Sequence, residues 1–383
     1  MNLVYLIPAL YNPGGMERIL TDKINTLVST GKYSITVVTT DQMGRTPFFK
    51  LNPAVRLIHL DLNFNKTFGL PLMQKYRRTR SMLKQYRQQL QQIINEEHTD
   101  ICISTGGKEL EFLSAMPVKC KKILEIHFAK NFREHFLLSR CDSVKNRIIG
   151  KLRTRQLVHQ TKNLDAVVVL TKKDLLEWAK THRNLYQIYN FASFRAEQPA
   201  ELSAHRAIAV GRLDAQKGFD MLIDAWALKK EELKGWKLDI FGQGEWQQML
   251  EEKILSYGLQ HNVRLCGVTS DIKTEMLQSS VFLFSSRYEG FGLVLVEAMG
   301  CGLPLVSFDC PEGPSEFISD DDVGYLIPLG DIERFADSIV RLAQLPEQRR
   351  QLGRGGYLKS ELFSKDKIMS EWMDLFNALT KRA

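Results

Sequence analysis

Short β-branched runs alternate with helical patterns along this chain, and the alternation occurs in two separate series. The first series predicts strands at Asn2–Pro8, Ser34–Thr40, Ile101–Thr105, Lys122–Ile126 and Ala166–Thr171. The second begins near residue 206 and predicts strands at Ala207–Val210, Lys237–Phe241, Val263–Leu265, Val281–Ser285, Pro304–Ser307 and Gly324–Ile327. Strands that alternate with helices form parallel sheets covered by helices on both faces. The chain is therefore predicted to be an α/β protein with two doubly wound sheets.

The length of the chain favours the same division, because 383 residues fit two domains of ordinary size. We expect a first domain over residues 1–190 and a second over residues 200–364, joined by a weakly periodic linker at 190–203. A final helix, about residues 365–383, could lie on either domain by its pattern alone. Open α/β sheets bind ligands at the carboxyl ends of their strands. The functional residues are therefore sought in the loops that follow the strands.

Composition excludes several classes of protein. The chain is 44% hydrophobic and 25% charged, as in globular proteins, and has no apolar run near the roughly 18 residues of a membrane span. Residues 1–10 are predicted to form a buried strand rather than a signal peptide. No zinc-type spacing, H-E-x-x-H, G-x-S-x-G or P-loop occurs, and the acids at 320–322 are interpreted as a solvated turn. Without any C-x-x-C pair, the six cysteines are predicted to be reduced core thiols of a cytosolic protein: Cys102, Cys120, Cys141, Cys266, Cys301 and Cys310.

The net charge of +8 is unevenly distributed. Residues 1–200 carry 31 Lys and Arg against 16 Asp and Glu, whereas residues 201–383 carry 21 against 28. A basic half favours an anionic partner, which could be a membrane surface, a lipid-linked phosphate or a nucleic acid. Between Asp61 and Glu96 there are seven cations and no acid, with apolar residues at helical spacing. Such a helix could lie on an anionic membrane, or could pack on the core with a solvated basic face.

Two acids, Glu289 and Glu297, stand eight residues apart in Glu-Gly-Phe-Gly-Leu-Val-Leu-Val-Glu, at a predicted strand-loop-helix junction. A helix that begins near Gly292 would direct its free N–H groups at a phosphate. If all eight steps were helical, the acids would lie about 12 Å apart, too far for a converging acid/base pair. They could instead contact the two ends of one elongated ligand. The alternative is an acidic helix start stabilised by the helix dipole.

Other loops that follow predicted strands add candidate ligand contacts. Arg212 and Lys217 lie five residues apart in Gly-Arg-Leu-Asp-Ala-Gln-Lys-Gly, where two cations could clamp a diphosphate or could simply be solvated. The pair of glycines at Gly242 and 244 lacks the third glycine of a dinucleotide fingerprint. After the next strand, the backbone near Val268 could hydrogen-bond a base edge.

In the first half, a glycine turn leads into a helix through Gly14, Gly15, Met16 and Glu17. Its N-terminus could face an anion or a sugar, or the turn could be merely tight. His127 directly follows a predicted strand and could be functional or structural.

Taken in order, these motifs resemble the retaining glycosyltransferases of family 4 over nearly the whole chain. The resemblance implies the GT-B fold, with two Rossmann-like domains facing across a cleft and the final helix crossing back onto the first domain. It implies transfer of a hexosyl group from a nucleotide-diphosphate sugar, with UDP as the default on family frequency. The acceptor would be a saccharide or a lipid-linked saccharide of polysaccharide or envelope glycan synthesis. Neither a metal nor another cofactor is expected.

The resemblance also implies residue roles. Arg212 and Lys217 would bind the diphosphate, Glu289 the sugar hydroxyls and Glu297 the ribose. Catalytic roles are expected for His127, Glu289, Arg212 and Lys217, and acceptor-side roles for Gly14, Met16, Glu17 and His127. Donor contacts are expected from Gly15, Arg212, Lys217, Gly242, Val268, Glu289, Gly290, Phe291, Gly292, Leu293 and Glu297.

One segment departs from the family pattern. Where many members have Gly-Gly-x-x-Glu, this chain has Asp-Cys-Pro-Glu-Gly-Pro-Ser-Glu at residues 309–316. The difference leaves the catalytic scheme intact but gives little help in naming the donor sugar. A cytoplasmic enzyme is expected, with peripheral contact to the inner face of the membrane and no nucleic-acid partner. The alternatives are a nucleotide-sugar epimerase or phosphorylase on the same fold, and a non-catalytic protein that binds anionic surfaces.

Overall fold

The computed structural model describes residues 1–140, 143–319 and 322–381. They divide into two compact units. Unit 1 comprises Met1–Lys130, Leu152–Tyr189 and Asp366–Ala383, and unit 2 comprises Asn131–Lys151 and Asn190–Lys365. Cys141, Asp320 and Asp321 lie outside the described residues.

Each unit contains one parallel sheet. The strands of unit 1 are β1 (Asn2–Ile7), β2 (Ser34–Thr39), β3 (Arg56–His59), β4 (Ile101–Ser104), β5 (Lys121–Glu125), β6 (Ala166–Val169) and β7 (Leu185–Gln187), in the spatial order β3-β2-β1-β4-β5-β6-β7. The strands of unit 2 are β8 (Arg206–Val210), β9 (Lys237–Phe241), β10 (Val263–Gly267), β11 (Val281–Phe284), β12 (Leu305–Asp309) and β13 (Gly324–Pro328), in the order β10-β9-β8-β11-β12-β13. The prediction of two doubly wound α/β sheets is confirmed.

Thirteen α-helices are assigned within the described ranges. They are α1 (Gly15–Ser29), α2 (Leu72–Glu96), α3 (Phe132–Arg140), α4 (Val144–Thr161), α5 (Lys172–Ala179), α6 (Phe219–Leu228), α7 (Gln247–Ser256), α8 (Ile272–Leu277), α9 (Leu293–Gly300), α10 (Pro314–Phe317), α11 (Ile332–Gln344), α12 (Pro346–Lys359) and α13 (Lys365–Lys381). Short 3-10 helices lie at Phe64–Thr67, Lys108–Glu111, Leu113–Ala115 and Ser360–Phe363.

All eleven predicted strands are present, and sequence patterns missed two. β3 and β7 are only four and three residues long, and no residue of either is fully buried. Both lie at the edges of their sheet, where one side lacks a neighbouring strand. A short strand of this kind lacks the continuous apolar run that marks a central parallel strand.

The final helix, α13, belongs to unit 1. Its residues Trp372, Leu375, Phe376 and Leu379 are buried, and the ring of Phe376 lies 6.2 Å from that of Tyr33. Residues 131–151 differ from the sequence-based division, which placed them in the first domain, because the structure groups them with unit 2. Phe132 of this segment packs edge-on against Tyr288, with ring centroids 5.7 Å apart.

Both sheets have a position where the strand order reverses direction. In unit 1 it lies between β1 and β4, and in unit 2 between β8 and β11. The connections that leave two adjacent strands go to opposite sides of the sheet at such a position, so a crevice opens at their carboxyl ends. The loops that follow these four strands carry most of the residues predicted to be functional.

Candidate active site

The loops after β8 and β9 in unit 2 pack backbone against backbone. A Cβ on Gly242, which has a φ of 146°, would lie 1.8 Å from the carbonyl oxygen of Gly211. A Cβ on Gly244 would lie 2.3 Å from the carbonyl oxygen of Leu213, whose N–H donates to the carbonyl of Gln243 at 3.0 Å. The glycines therefore allow the contact that fixes the loop carrying Arg212 and Lys217.

Lys217 and Glu289 meet at the point where the strand order of unit 2 reverses. Lys217 Nζ donates to Glu289 Oε1 at 2.7 Å, and the two side chains are only 16% and 8% exposed. A Cβ added to Gly218 would lie 2.2 Å from the carbonyl oxygen of Ser285. The β8–α6 loop therefore lies directly against the end of β11. Sequence reasoning gave the two residues separate ligands, a phosphate and a sugar, and the structure pairs them with each other.

Arg212 lies on the same loop but is far more exposed. Its side chain is 70% exposed, with the guanidinium 3.2 Å from Asp214 Oδ2 and donating to Gln216 Oε1 at 3.0 Å. Gln216 in turn donates from its side-chain amide to the backbone carbonyl of Tyr288, one residue before Glu289. Gln216 was not singled out from the sequence, although it lies within the quoted Gly-Arg motif; it connects the two loops.

A pocket of about 390 Å³ opens beside Arg212 within unit 2. Pockets of this size accommodate small ligands. Its lining combines aromatic rings with polar groups from the loops after β8 and β9: Phe132, Phe136, Tyr288, Arg212, Asp214, Ala215, Gln216, Gln243, Gly244 and Glu245. The two phenylalanines come from the segment that the sequence placed in the first domain.

The helix of the Glu-x7-Glu motif begins at Leu293, with Gly292 as its N-cap in the left-handed conformation at a φ of 84°. Only part of the span from Glu289 to Glu297 is helical, so the premise of the 12 Å estimate does not hold. Phe291 is buried, and its carbonyl oxygen would lie 2.5 Å from a Cβ on Gly313, which follows β12. Residues 309–316, the segment that differs from the family pattern, therefore pack through Gly313 against the turn at Gly290 and Phe291. The sequence did not reveal this role.

Val268 directly follows β10 and is 67% exposed. The carbonyl of the preceding Gly267 accepts a hydrogen bond from the N–H of Gly242 at 2.7 Å. Backbone hydrogen bonds therefore join the carboxyl ends of the adjacent strands β8, β9 and β10. Val268 lies next to the outermost of these three strand ends.

In unit 1, the glycine turn after β1 holds a buried acid. Gly14 is the N-cap of α1, and the carboxylate of Glu17 folds back over it so that a Cβ on Gly14 would lie 2.3 Å from Glu17 Oε2. Glu17 is 7% exposed and accepts a hydrogen bond from the side-chain amide of Asn12 at 3.2 Å. The acid occupies the start of the helix, as the favourable interaction of a carboxylate with a helix N-terminus leads one to expect. Gly15 and Met16 form the first turn of the same helix.

His127 follows β5 in unit 1 and is buried beside Glu125. Its Nε2 lies 3.1 Å from Glu125 Oε1, and the two side chains are 6% and 1% exposed. Glu125 also forms a buried ion pair with Lys23 of α1. Burial alone would raise the pKa of Glu125, but the charges and hydrogen bonds of Lys23 and His127 outweigh it and hold that pKa at about 2. Sequence reasoning identified His127 and missed Glu125 and Lys23.

Three further observations concern the described residues only. Among them, no cluster of three or more His, Cys, Asp or Glu side chains is arranged to hold a metal ion. None of their helices combines the length and apolar character that crossing a bilayer requires. Of the five described cysteines, four are buried thiols and Cys266 is half-buried.

Comparisons with known proteins identify the class. Residues 191–359 match the family model described as glycosyl transferases group 1. Over 386 aligned residues the chain is 27% identical to the amylovoran biosynthesis glycosyltransferase AmsD of Erwinia amylovora, which covers 98% of this chain and 99% of that protein. It is 26% identical over 376 residues to an uncharacterized glycosyltransferase of Haemophilus influenzae, covering 96% of this chain and 98% of that protein.

Solved structures share the fold at low sequence identity. TarM superposes with a TM-score of 0.80 at 17% identity, covering 98% of both chains. WaaG, a glycosyltransferase involved in lipopolysaccharide biosynthesis, superposes with a TM-score of 0.73 at 15% identity, covering 98% of this chain and 99% of that one. The two parallel-sheet units thus define a protein of the GT-B class. The chain is a glycosyltransferase, and its residues 191–359 are similar to the group 1 glycosyltransferases.

Proposed function

We propose that this glycosyltransferase is a retaining enzyme of family 4 that uses a nucleoside diphosphate sugar, with a uridine base, as hexosyl donor. The observation that carries the proposal is the Lys217–Glu289 pair at the strand-order reversal of unit 2, with Arg212 on the same loop. Among the structural neighbours, TarM is described in complex with UDP, and Anabaena HepE in complex with UDP and glucose. Those ligands support a uridine nucleotide as the first donor to test.

Chemically, the difficult step is departure of a diphosphate from the anomeric carbon. Lys217, Arg212 and the N–H groups at the start of α9 would stabilise the charge that develops on this leaving group. Each preorganised hydrogen-bonding group of this kind lowers the activation barrier by on the order of 3 kcal/mol. Glu289, already paired with Lys217, would accept hydrogen bonds from donor-sugar hydroxyls. We expect the cations to replace a divalent metal. We expect the acceptor hydroxyl to attack the anomeric carbon from the face that the diphosphate leaves, with the hydroxyl proton passing to an oxygen of the departing diphosphate.

The proposed acceptor is a saccharide or lipid-linked saccharide of an envelope or exported polysaccharide. This rests on the relatives, which include the amylovoran glycosyltransferase and, over 236 residues at 26% identity, a poly(glycerol-phosphate) alpha-glucosyltransferase of Bacillus subtilis. We further propose a cytoplasmic enzyme that contacts the inner face of the membrane peripherally.

A patch on unit 1 favours the membrane contact. Four large apolar side chains in the first turns of α2 and in the segment just before it are 59–87% exposed: Phe68, Leu72, Met73 and Tyr76. This set is called the α2 patch. Cations surround it at residues 66, 75, 77, 78 and 80, and Lys75 Nζ lies 5.1 Å from the Phe68 ring centroid. Exposed apolar side chains among cations are the chemistry that inserts into an anionic lipid surface.

The donor assignment is tested with a thermal-shift panel of UDP-, GDP- and ADP-sugars, followed by calorimetry on the best ligand. One uridine nucleotide sugar should raise the unfolding temperature most and should bind without added metal, also in the presence of EDTA. Transfer to an acceptor with the donor's anomeric configuration, read by NMR of the product, would support retention. Conversion of the donor to an epimer would favour an epimerase, sugar 1-phosphate formation a phosphorylase, and vesicle binding without any nucleotide-sugar affinity a non-catalytic protein.

A further inference from the structure

A buried row of interacting side chains in unit 1 extends from α13 to His127. Lys23 Nζ lies 3.8 Å from the ring centroid of Trp372 and 5.5 Å from that of Tyr5. The same ammonium group pairs with Glu125, whose other carboxylate oxygen lies 3.1 Å from His127 Nε2. Four separate elements, α13, α1, β1 and the end of β5, thus contribute to the surroundings of one carboxylate.

Burying these charged groups costs free energy unless each charge has a partner of opposite sign. Lys23 is 0% exposed and Glu125 is 1% exposed. Isolated charges in such surroundings are strongly disfavoured, whereas a pair whose charges are matched can remain ionised. The Trp372 ring adds a cation–π contact on one side of the ammonium group. Lys23 therefore keeps Glu125 in its carboxylate form next to the imidazole.

A carboxylate beside one ring nitrogen selects between the two neutral forms of histidine. The proton is favoured on the nitrogen that faces the negative charge, which here is Nε2. Neither ring nitrogen makes a hydrogen bond of good geometry with the described residues, but only Nε2 lies beside the carboxylate, so the attraction of that charge decides between the two forms. Nδ1 is then left with its lone pair, as a hydrogen-bond acceptor.

We infer that Glu125 is a positioning residue that holds His127 as its Nε2–H tautomer, with Lys23 and Trp372 keeping the carboxylate charged within the core. The consequence for the enzyme is that the buried imidazole is held in one orientation, and with one distribution of protons, on the proposed acceptor side. This consequence rests on the proposed function, whereas the tautomer itself does not.

The test is selective ¹⁵N-histidine labelling of the full chain with long-range ¹H–¹⁵N NMR, in which His127→Gln identifies the resonances of His127. In the wild type, Nε2 should appear as the protonated nitrogen and Nδ1 as the unprotonated one. The double variant Lys23→Met/Glu125→Gln removes both charges together, so the core is not left with one unpaired ion. In it the preference should be lost, with a substantial fraction of Nδ1–H appearing.

Glu109→Gln is the matched control, because Glu109 is another buried acid of unit 1, 3% exposed and held by the hydroxyl of Ser104. It should leave the His127 resonances unchanged. A wild-type proton on Nδ1, or the same tautomer in the double variant, would overturn the inference without any reference to activity.

Kinetics then test the consequence. The double variant should retain donor binding at unit 2 and lose about 10²-fold in kcat, the scale expected when a group of the active site is displaced by about an ångström. An unchanged kcat in a double variant that has lost the tautomer preference would overturn the positioning role. Loss of the proposed function itself would show differently, as absence of nucleotide-sugar binding in the wild type.

Discussion

Lys217 Nζ lies 2.7 Å from Glu289 Oε1, although the two residues are 72 positions apart in the chain. Each follows one of the two adjacent strands, β8 and β11, at which the order of the second sheet reverses. The pair is mostly buried, so neither charge is strongly screened by solvent. A phosphate that reaches Lys217 would therefore meet a cation already held in place by an acid.

Removing the cations of the β8–α6 loop should abolish most transfer while the chain stays folded. We expect Lys217→Ala and Arg212→Ala each to lower kcat/KM by about 10²–10³-fold, because each removes one group that stabilises charge on the leaving diphosphate. Steady-state kinetics with the donor identified by thermal shift would measure this. Lys229→Ala, which removes a cation of the same unit paired with Asp337, serves as control and should retain full activity. Wild-type turnover in either loop variant would count against the proposed enzyme.

A side chain at Gly242 should destabilise unit 2 more than one at an open glycine. The added Cβ of Gly242→Ala would meet the Gly211 carbonyl oxygen at 1.8 Å, and this atom belongs to the backbone, so it cannot rotate aside as a flexible side chain could. Gly235→Ala is the control, because Gly235 has a φ of 86° with nothing within 4 Å of the added Cβ. The control should cost about 1–2 kcal/mol from its conformation alone, and Gly242→Ala about 3 kcal/mol or more. Thermal unfolding monitored by circular dichroism would compare them, and equal losses would contradict the packing described.

Acid should destabilise unit 1 partly through Glu125. Its pKa is about 2 in the folded chain and about 4.3 in an unfolded chain. A depressed pKa contributes stability that is present above pH 4.3 and is lost as the pH falls towards 2. The contribution is about 3 kcal/mol from these two values.

The free energy of unfolding should therefore fall more steeply between pH 5 and pH 3 in the wild type than in Lys23→Met/Glu125→Gln. Urea denaturation at several pH values would measure both slopes. Parallel curves for the two proteins would show that Glu125 is not held ionised by its neighbours.

The α2 patch should drive binding to anionic vesicles. Leu72→Ser/Met73→Ser removes two of its exposed apolar side chains and should reduce flotation with vesicles that contain an anionic phospholipid. Leu255→Ser, at a site 66% exposed on α7, is the control and should float as the wild type does. Raising the salt concentration should weaken binding of all three proteins, since each cation near such a surface contributes about 1 kcal/mol. Equal flotation of the patch variant and the wild type would exclude the patch as the contact.

Much of this protein could be predicted from its sequence because the informative patterns are local. The central strands appear as short apolar runs, and the loops after β8, β9 and β11 carry their glycines, cations and acids within a few residues of one another. The sequence also indicated a basic helix with apolar residues at helical spacing, but that spacing does not show which of them are buried: in α2, Tyr86 is buried whereas Leu72 and Tyr76 are exposed.

The missed positioning residues had a weak signal at most. Glu125 stands two residues before His127, and alternate residues of an extended segment share a side. Lys23 interrupts an otherwise apolar face of α1, which contains Leu20, Ile24 and Leu27. A lysine at such a position usually packs its methylene groups on the apolar surface and keeps its ammonium group in water, so the pattern gave no reason to pair it with Glu125.

The sequence by itself determined the two α/β series, the loops that bear the candidate donor contacts and the identity of His127 as a residue at a strand end. Only the tertiary structure decided that Lys217 meets Glu289, that Lys23 and Trp372 surround Glu125, and that residues 131–151 group with unit 2. Periodicity reports which residues are buried within one element, because it reflects the geometry of that element alone. Contacts between distant residues depend on strand order and on how helices pack across the sheets, and these follow from the free energy of the whole fold.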